Sequence, residues 1–186
     1  MSAWNNWYHC TAHAYGTWLQ DDPKGWRSRH HREHCEGDYK HPPPPGAHDH
    51  LFELSKRLMK RDPVRIQRDI RECVLQKMIV RLHEFHCPTS IGSLDGIHAH
   101  LLSQCNDRNP RIMIGIAKQY ATAQLKAHGL AVGLNLQLGE GLWSKGSHPE
   151  PIEDERHFDN VHRYIADHAN RGAVVIVPDP LSADPY

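Results

Sequence analysis

The segment Ile97-His98-Ala99-His100-Leu101-Leu102 constrains this chain more than any other, because its alternation suits a strand with one face turned to a core. Successive side chains of a strand point to opposite faces. His98 and His100 therefore share one face, and Ile97, Ala99 and Leu101 take the other. The strand is anchored in apolar material while it presents two imidazoles side by side, as a two-point metal chelate requires.

Around that strand the chain reads as a mixture of short strands and helices. Residues 7–19 are rich in aromatic residues and threonine, which predicts a strand ending near Gly16. Residues 20–50 turn basic and turn-like and include the run from Pro42 to Pro45, so they read as an insertion rather than core. Within it Lys24, Arg27, Arg29 and Arg32 interleave with Trp18 and Trp26, a mixture suited to phosphate contacts and base stacking.

Leu51, Leu54, Leu58 and Met59 have helical spacing over 51–61. Asp62-Pro63 reads as a cap with proline at the first helical position, opening a second helix to about Val80. Residues 83–86 and 97–102 read as two strands of a hairpin, joined through the turn-prone stretch 88–93. A third helix over 110–128 places Ile112, Ile116 and Tyr120 on one stripe and ends at Gly129. Residues 142–148 suggest a strand and turn. A fourth helix over 153–170 puts Phe158, Val161 and Ile165 on one face and stops at Gly172, and a last strand follows at 173–177. The expected class is α+β, a single domain with a mainly antiparallel sheet and packed helices.

Composition limits the rest. At 186 residues the chain has room for one domain and the insertion. No stretch approaches the roughly 20 consecutive apolar residues of a membrane span. The opening residues have neither a basic region nor an apolar core of a signal peptide, so the expected compartment is the cytosol. Five cysteines without a Cys-x-x-Cys pair read as reduced thiols. Lys+Arg and Asp+Glu balance at 22 each, so any basic surface for nucleic acid has to be local. Seventeen histidines raise the prospect of a metal site, with spacing as the discriminator.

The second constellation is Arg163-Tyr164-Ile165-Ala166-Asp167-His168. Tyr164 and His168 are four apart and share a helix face. If that helix packs beside the histidine strand, His168 completes a three-ligand site with His98 and His100, and Tyr164 lies next to a phosphate held there. Tyr120, the rival nucleophile, has the spacing of a core or boundary residue.

In order, these segments resemble the single-tyrosine HUH transposases of the smallest bacterial insertion sequences and their REP-associated tyrosine transposase relatives. The family's His-hydrophobic-His pair corresponds to His98-Ala99-His100-Leu101-Leu102, and its nucleophile helix to Arg163-Tyr164-Ile165 with His168 four residues on from the tyrosine. Trp143-Ser-Lys-Gly-Ser-His148 and Asn170-Arg-Gly-Ala-Val-Val175 are similar to its Trp-x-x-Gly strand and its closing tail. Tyr15-Gly-Thr-Trp-Leu19 with Asp22-Pro-Lys-Gly25 is similar to a subgroup. Ala99 and Ile97 depart from the usual pattern, and His168 stands where an amide ligand is usual.

The resemblance implies a ferredoxin/RRM-like fold and a metal-dependent single-stranded DNA nuclease and strand transferase. Tyr164 would be the nucleophile. His98, His100 and His168 would hold Mg²⁺ or Mn²⁺, imidazole favouring the transition ion. Lys24, Arg27, Arg29, Arg32, Lys145 and Arg163 would contact DNA, and a homodimer could place the tyrosine helix over its partner's histidines. Two alternatives stand beside it: a domesticated, non-catalytic hairpin-binding protein of the same fold, and a histidine-rich metal-binding protein with no DNA role.

Overall fold

A computed structural model describes residues 3–19, 22, 41, 44, 46–47, 49–130, 134, 136 and 140–179. The chain divides into two compact units, residues 15–64 and residues 1–14 with 65–186. The expected insertion at 20–50, with Lys24, Arg27, Arg29 and Arg32, lies almost wholly outside the described residues.

The larger unit is built on five strands: β1 (Trp7–His13), β2 (Thr89–Leu94), β3 (His98–Gln104), β4 (His148–Pro151) and β5 (Val174–Ile176). Their order in the sheet is β4-β1-β3-β2-β5, and every neighbouring pair is antiparallel. Three helices cover this sheet: α2 (Arg68–Glu84), α3 (Pro110–Ala127) and α4 (Glu155–Asp167), the last running on into a 3₁₀ turn over His168–Arg171. The smaller unit carries α1 (Asp49–Arg57).

Alternation along β3 sorts the helices into layers. Leu101 faces α2: a Cβ added to Gly92 would stand 2.8 Å from Leu101, 3.1 Å from Leu75 and 3.4 Å from Ile79. Leu102 faces the other way and joins Ile91, Ile152, Val161 and Ile165 in a core beneath α4, with Trp7 and Phe158 packed against it. Trp7 and Phe158 meet edge to face at 5.0 Å. His98 and His100 share Leu102's face, so the helix that carries Tyr164 lies on their side of the sheet. Burying each of these aliphatic side chains contributes about 1.5–3 kcal/mol, which holds α4 in register over β2 and β3.

Several sequence expectations are corrected. Residues 83–86 do not form a strand: His83 and Glu84 close α2, and the stretch read as a turn is itself β2. The small residues of Thr89-Ser-Ile-Gly-Ser-Leu94 resemble turn chemistry, yet Gly92 is what permits the close approach of Leu101 and Leu75. The actual turn is at 95–97, where Asp95 Oδ1 accepts from the backbone N–H groups of Ile97 and His98 at 2.7 and 2.8 Å. Asp62-Pro63 caps no helix, because α2 begins at Arg68 after Gln67. Ile66 in the intervening segment is buried, and its N–H donates to Gly96 O.

On α3 the buried stripe is Met113, Ile114, Ala117, Ala121 and Leu125, while Ile112 is 58% exposed. The expected stripe was therefore rotated off the true one, although both ends hold: Asn109 caps the start and Gly129, at φ 67, follows the end. The first strand stops at His13, three residues short of Gly16, and Ala14 forms only a bridge to Trp143. Among the described residues Cys10, Cys73, Cys87 and Cys105 are free thiols. No described helix is long and apolar enough to cross a membrane.

In the smaller unit, Tyr15 O accepts from Val64 N–H and Tyr15 Oη from Lys60 N–H. The Arg61 guanidinium lies 4.3 Å over the Tyr15 ring.

Candidate functional site

Four elements bring chemistry to one face of the sheet. β3 supplies His98 and His100, β1 supplies His9, Thr11 and His13, β2 supplies Ser93, and α4 with its following turn supplies Tyr164 and His168. The β1 set follows from register: Thr11 pairs with His100 and His13 with His98 across the ladder. Directly opposite residues share a face.

The rings form one cluster. Centroids lie 4.8 Å apart for His98 and His100, 4.7 Å for His100 and His168, and 6.0 Å for His98 and His168. The Tyr164 ring stands 4.7 Å from His168, 5.5 Å from His100 and 5.9 Å from His9. His9 stacks on His100 at 5.2 Å and His13 on His98 at 6.0 Å. Tyr164 is 43% exposed, so it is open to a ligand while touching the buried rings.

Each of the three expected ligands has a polar side-chain atom within 3.0 Å of its Nδ1. Asp95 Oδ2 lies 2.8 Å from His98 Nδ1, a short contact off the ideal hydrogen-bond line. Ser93 Oγ is 2.8 Å from His168 Nδ1. His9 Nε2 is 3.0 Å and Thr11 Oγ1 3.3 Å from His100 Nδ1. The ionised Asp95 can only accept, so it favours the proton on His98 Nδ1 and leaves that ring's Nε2 as the lone-pair donor, the arrangement found around metal-bound histidines. The neighbours of His168 and His100 orient those rings. His100 Nε2 is itself buried with no hydrogen-bond partner, an expensive state for a polar atom. Among the described residues, however, no three His, Cys, Asp or Glu side chains gather their donors tightly enough to hold an ion as they stand.

Electrostatics follow from this crowding. Burial, reinforced by His98, His9 and His168, pushes His100 from 6.5 down to about 2. Burial first and the neighbouring imidazoles second bring His9 and His13 each to about 4. His168 is lowered for the same two reasons. Burial alone would raise Asp95, but the His98 side chain and the backbone N–H groups of Ile97 and His98 outweigh it and bring the carboxyl to about 2. Near neutrality His9, His13, His100 and His168 are thus held uncharged near an ionised Asp95, and a neutral imidazole is the form that metal ligation needs.

Of the expected DNA contacts, Arg163 is exposed on α4, where it bonds Asp159 O and Asn160 Oδ1. Lys145 is exposed in the segment that packs on α3. The tyrosine helix meets the histidines of its own chain. Sequence reasoning missed His9, Thr11 and His13, although their spacing of two on a predicted strand carried the signal. It also missed the Nδ1 partners Ser93 and Asp95, which only the fold brings to the rings.

No protein-family model matches this chain, and no curated protein or solved structure matches it either.

Proposed function

We propose that this chain is a metal-dependent single-stranded DNA nuclease and strand transferase of the single-tyrosine HUH type, with Tyr164 as nucleophile. The observation that carries the reading is the convergence, on one sheet face of one chain, of Tyr164 with three imidazoles whose Nδ1 atoms each lie 2.8–3.0 Å from a polar side-chain atom. The fold supports it: β1, α2, β2, β3, α3 and β4 follow in the order βαββαβ, and β4-β1-β3-β2 is the strand order of a ferredoxin-like sheet, with β5 added at one edge.

The residues divide the work. Asp95, Ser93 and the His9–Thr11 pair orient His98, His168 and His100, whose Nε2 atoms would hold a divalent ion. All-imidazole donation suits Mn²⁺ or another transition ion better than Mg²⁺. When bound, the ion supplies charge neutralisation at a non-bridging phosphate oxygen. Tyr164 Oη attacks phosphorus in line with the 3′ oxygen. The Oη–P bond forms as the P–O3′ bond breaks, the phenol loses its proton and the departing 3′ oxygen gains one. The product is a 5′-phosphotyrosyl strand and a free 3′-OH, and the retained ester energy lets a second 3′-OH reverse the step without ATP.

A second reading, a non-catalytic DNA-binding protein of the same fold, is favoured by the ungathered donors and by His168 in an amide's place. One experiment separates the two. Protein is incubated with Mn²⁺ or Mg²⁺ and labelled single-stranded hairpin DNAs, and SDS-stable adducts are sought, with Tyr164→Phe as control. An adduct lost in the variant supports the nuclease; hairpin binding without an adduct supports the second reading; neither defeats both.

A further inference from the structure

A cavity of about 470 Å³ lies between α3 and the segment 140–146. It is lined from α3 by Gly115, Lys118, Thr122 and Lys126 and from the facing segment by Trp143 and Lys145, among others. None of these residues belongs to the histidine cluster, and α3 packs with α2 on the side of the sheet opposite α4.

Lys118 is the unusual member. It is only 5% exposed, and a buried ammonium needs partners for all three of its hydrogens. Its Nζ donates to Ser144 O at 2.7 Å and to Gly146 O at 2.5 Å. One N–H is left over for whatever enters the cavity that Lys118 lines. The wall around it is held in place, because Ser144 N–H donates to His13 O and Ser144 Oγ to Ala14 O. Three lysines line the space against one carboxylate, Glu140, so its field favours an anion.

An inorganic anion alone would leave most of this volume empty, since pockets of this size hold organic ligands. Trp143 adds an aromatic wall, and a Cβ on Gly115, Gly141 or Gly146 would meet nothing within 4 Å. The space beside the charge is thus open and partly aromatic. We propose that this cavity is a second ligand site, which takes a nucleoside monophosphate with its phosphate on Lys118 and its base against Trp143. The ligand's chemistry is shared by a free nucleotide and by the phosphorylated end of a strand. The proposal does not depend on Tyr164 acting as nucleophile.

Burial brings Lys118 down to about 8. A bound phosphate restores the charged form, so affinity should fall as pH rises through that value.

The test is calorimetric titration of the full chain with AMP, dTMP, inorganic phosphate and a 5′-phosphorylated tetranucleotide, repeated on Lys118→Met, Gly115→Leu and Tyr164→Phe. Gly115→Leu fills the cavity while keeping every lysine, and it replaces a helix-interior glycine with a better helix former, so its fold is secure if Lys118→Met unfolds. The expected result is mononucleotide binding that outlasts Tyr164→Phe and weakens at least about tenfold in both cavity variants, as loss of a charge-assisted hydrogen bond predicts. Binding of the tetranucleotide but not of AMP or dTMP, with the same variant pattern, upholds the site and assigns it to strand ends. Absence of nucleotide binding, binding no tighter than inorganic phosphate, or binding indifferent to Gly115→Leu overturns it.

Discussion

Lowering the pH from 7.5 to 5 should destabilise this protein through its histidines before any carboxylate is involved. His9 and His13 titrate near 4 and His100 near 2 in the folded chain, against 6.5 when unfolded. As pH falls below 6.5 the unfolded chain takes up protons that the folded chain refuses. Stability from these groups is therefore complete above about 6.5 and is lost as pH falls toward the folded values. At pH 5, one and a half units below the unfolded value, each group costs the fold about 2 kcal/mol. Three such groups consume a large share of the roughly 5–15 kcal/mol of a typical domain. Near pH 5.5 the slope should approach about 4 kcal/mol per pH unit, close to three protons at about 1.4 each. Asp95, at about 2, contributes its own loss only below about pH 4, outside this window. Urea unfolding followed by circular dichroism at half-unit steps measures the slope directly. His100→Gln should reduce it by about one proton, with a proportionate change at pH 5. A stability that stays flat from 7.5 to 5, or a slope untouched by His100→Gln, would refute the picture of a buried neutral cluster.

Other outcomes follow from single contacts. Tyr164→Phe removes one hydroxyl from a half-exposed ring, so unfolding free energy should change by less than about 0.5 kcal/mol while the SDS-stable DNA adduct disappears. Ser93→Ala and Asp95→Asn strip Nδ1 partners from His168 and His98, and Mn²⁺ affinity measured by calorimetry should fall about 10–100-fold in each. Ile165→Ala empties a fully buried position under α4 and should cost about 2–5 kcal/mol in urea denaturation. Gly92→Ala should cost about 1–3 kcal/mol, because the new methyl would stand 2.8 Å from Leu101 Cδ2.

What is legible in the sequence alone is local. The alternation through Ile97–Leu102 identifies a strand with His98 and His100 on one face, because a period of two is a property of extended backbone. The stripe Phe158, Val161 and Ile165, with Tyr164 and His168 one turn apart, identifies the face of α4 because a helix repeats every 3.6 residues. Pro110 and Gly129 mark the ends of α3, since proline suits a first helical position and glycine the position past the last. Each of these rests on neighbours within a few positions in the chain.

Tertiary structure decided what depends on distant segments. Thr89–Leu94 looks like a turn until α2 covers it, and Gly92 then counts as packing space rather than flexibility. Asp62-Pro63 has the chemistry of a helix start, but the bond from Ile66 N–H to Gly96 O keeps the chain leading to α2 extended. Ser93 and His168 meet across 75 positions and His9 and His100 across 91. No local pattern carries those distances. The imidazoles were legible singly or in pairs, whereas their shared burial, the depressed basicity of His9, His13, His100 and His168 and the neighbours that aim the rings exist only once β1, β2, β3 and α4 enclose one space, since desolvation and ring-to-ring repulsion are properties of that enclosure and not of any residue in it.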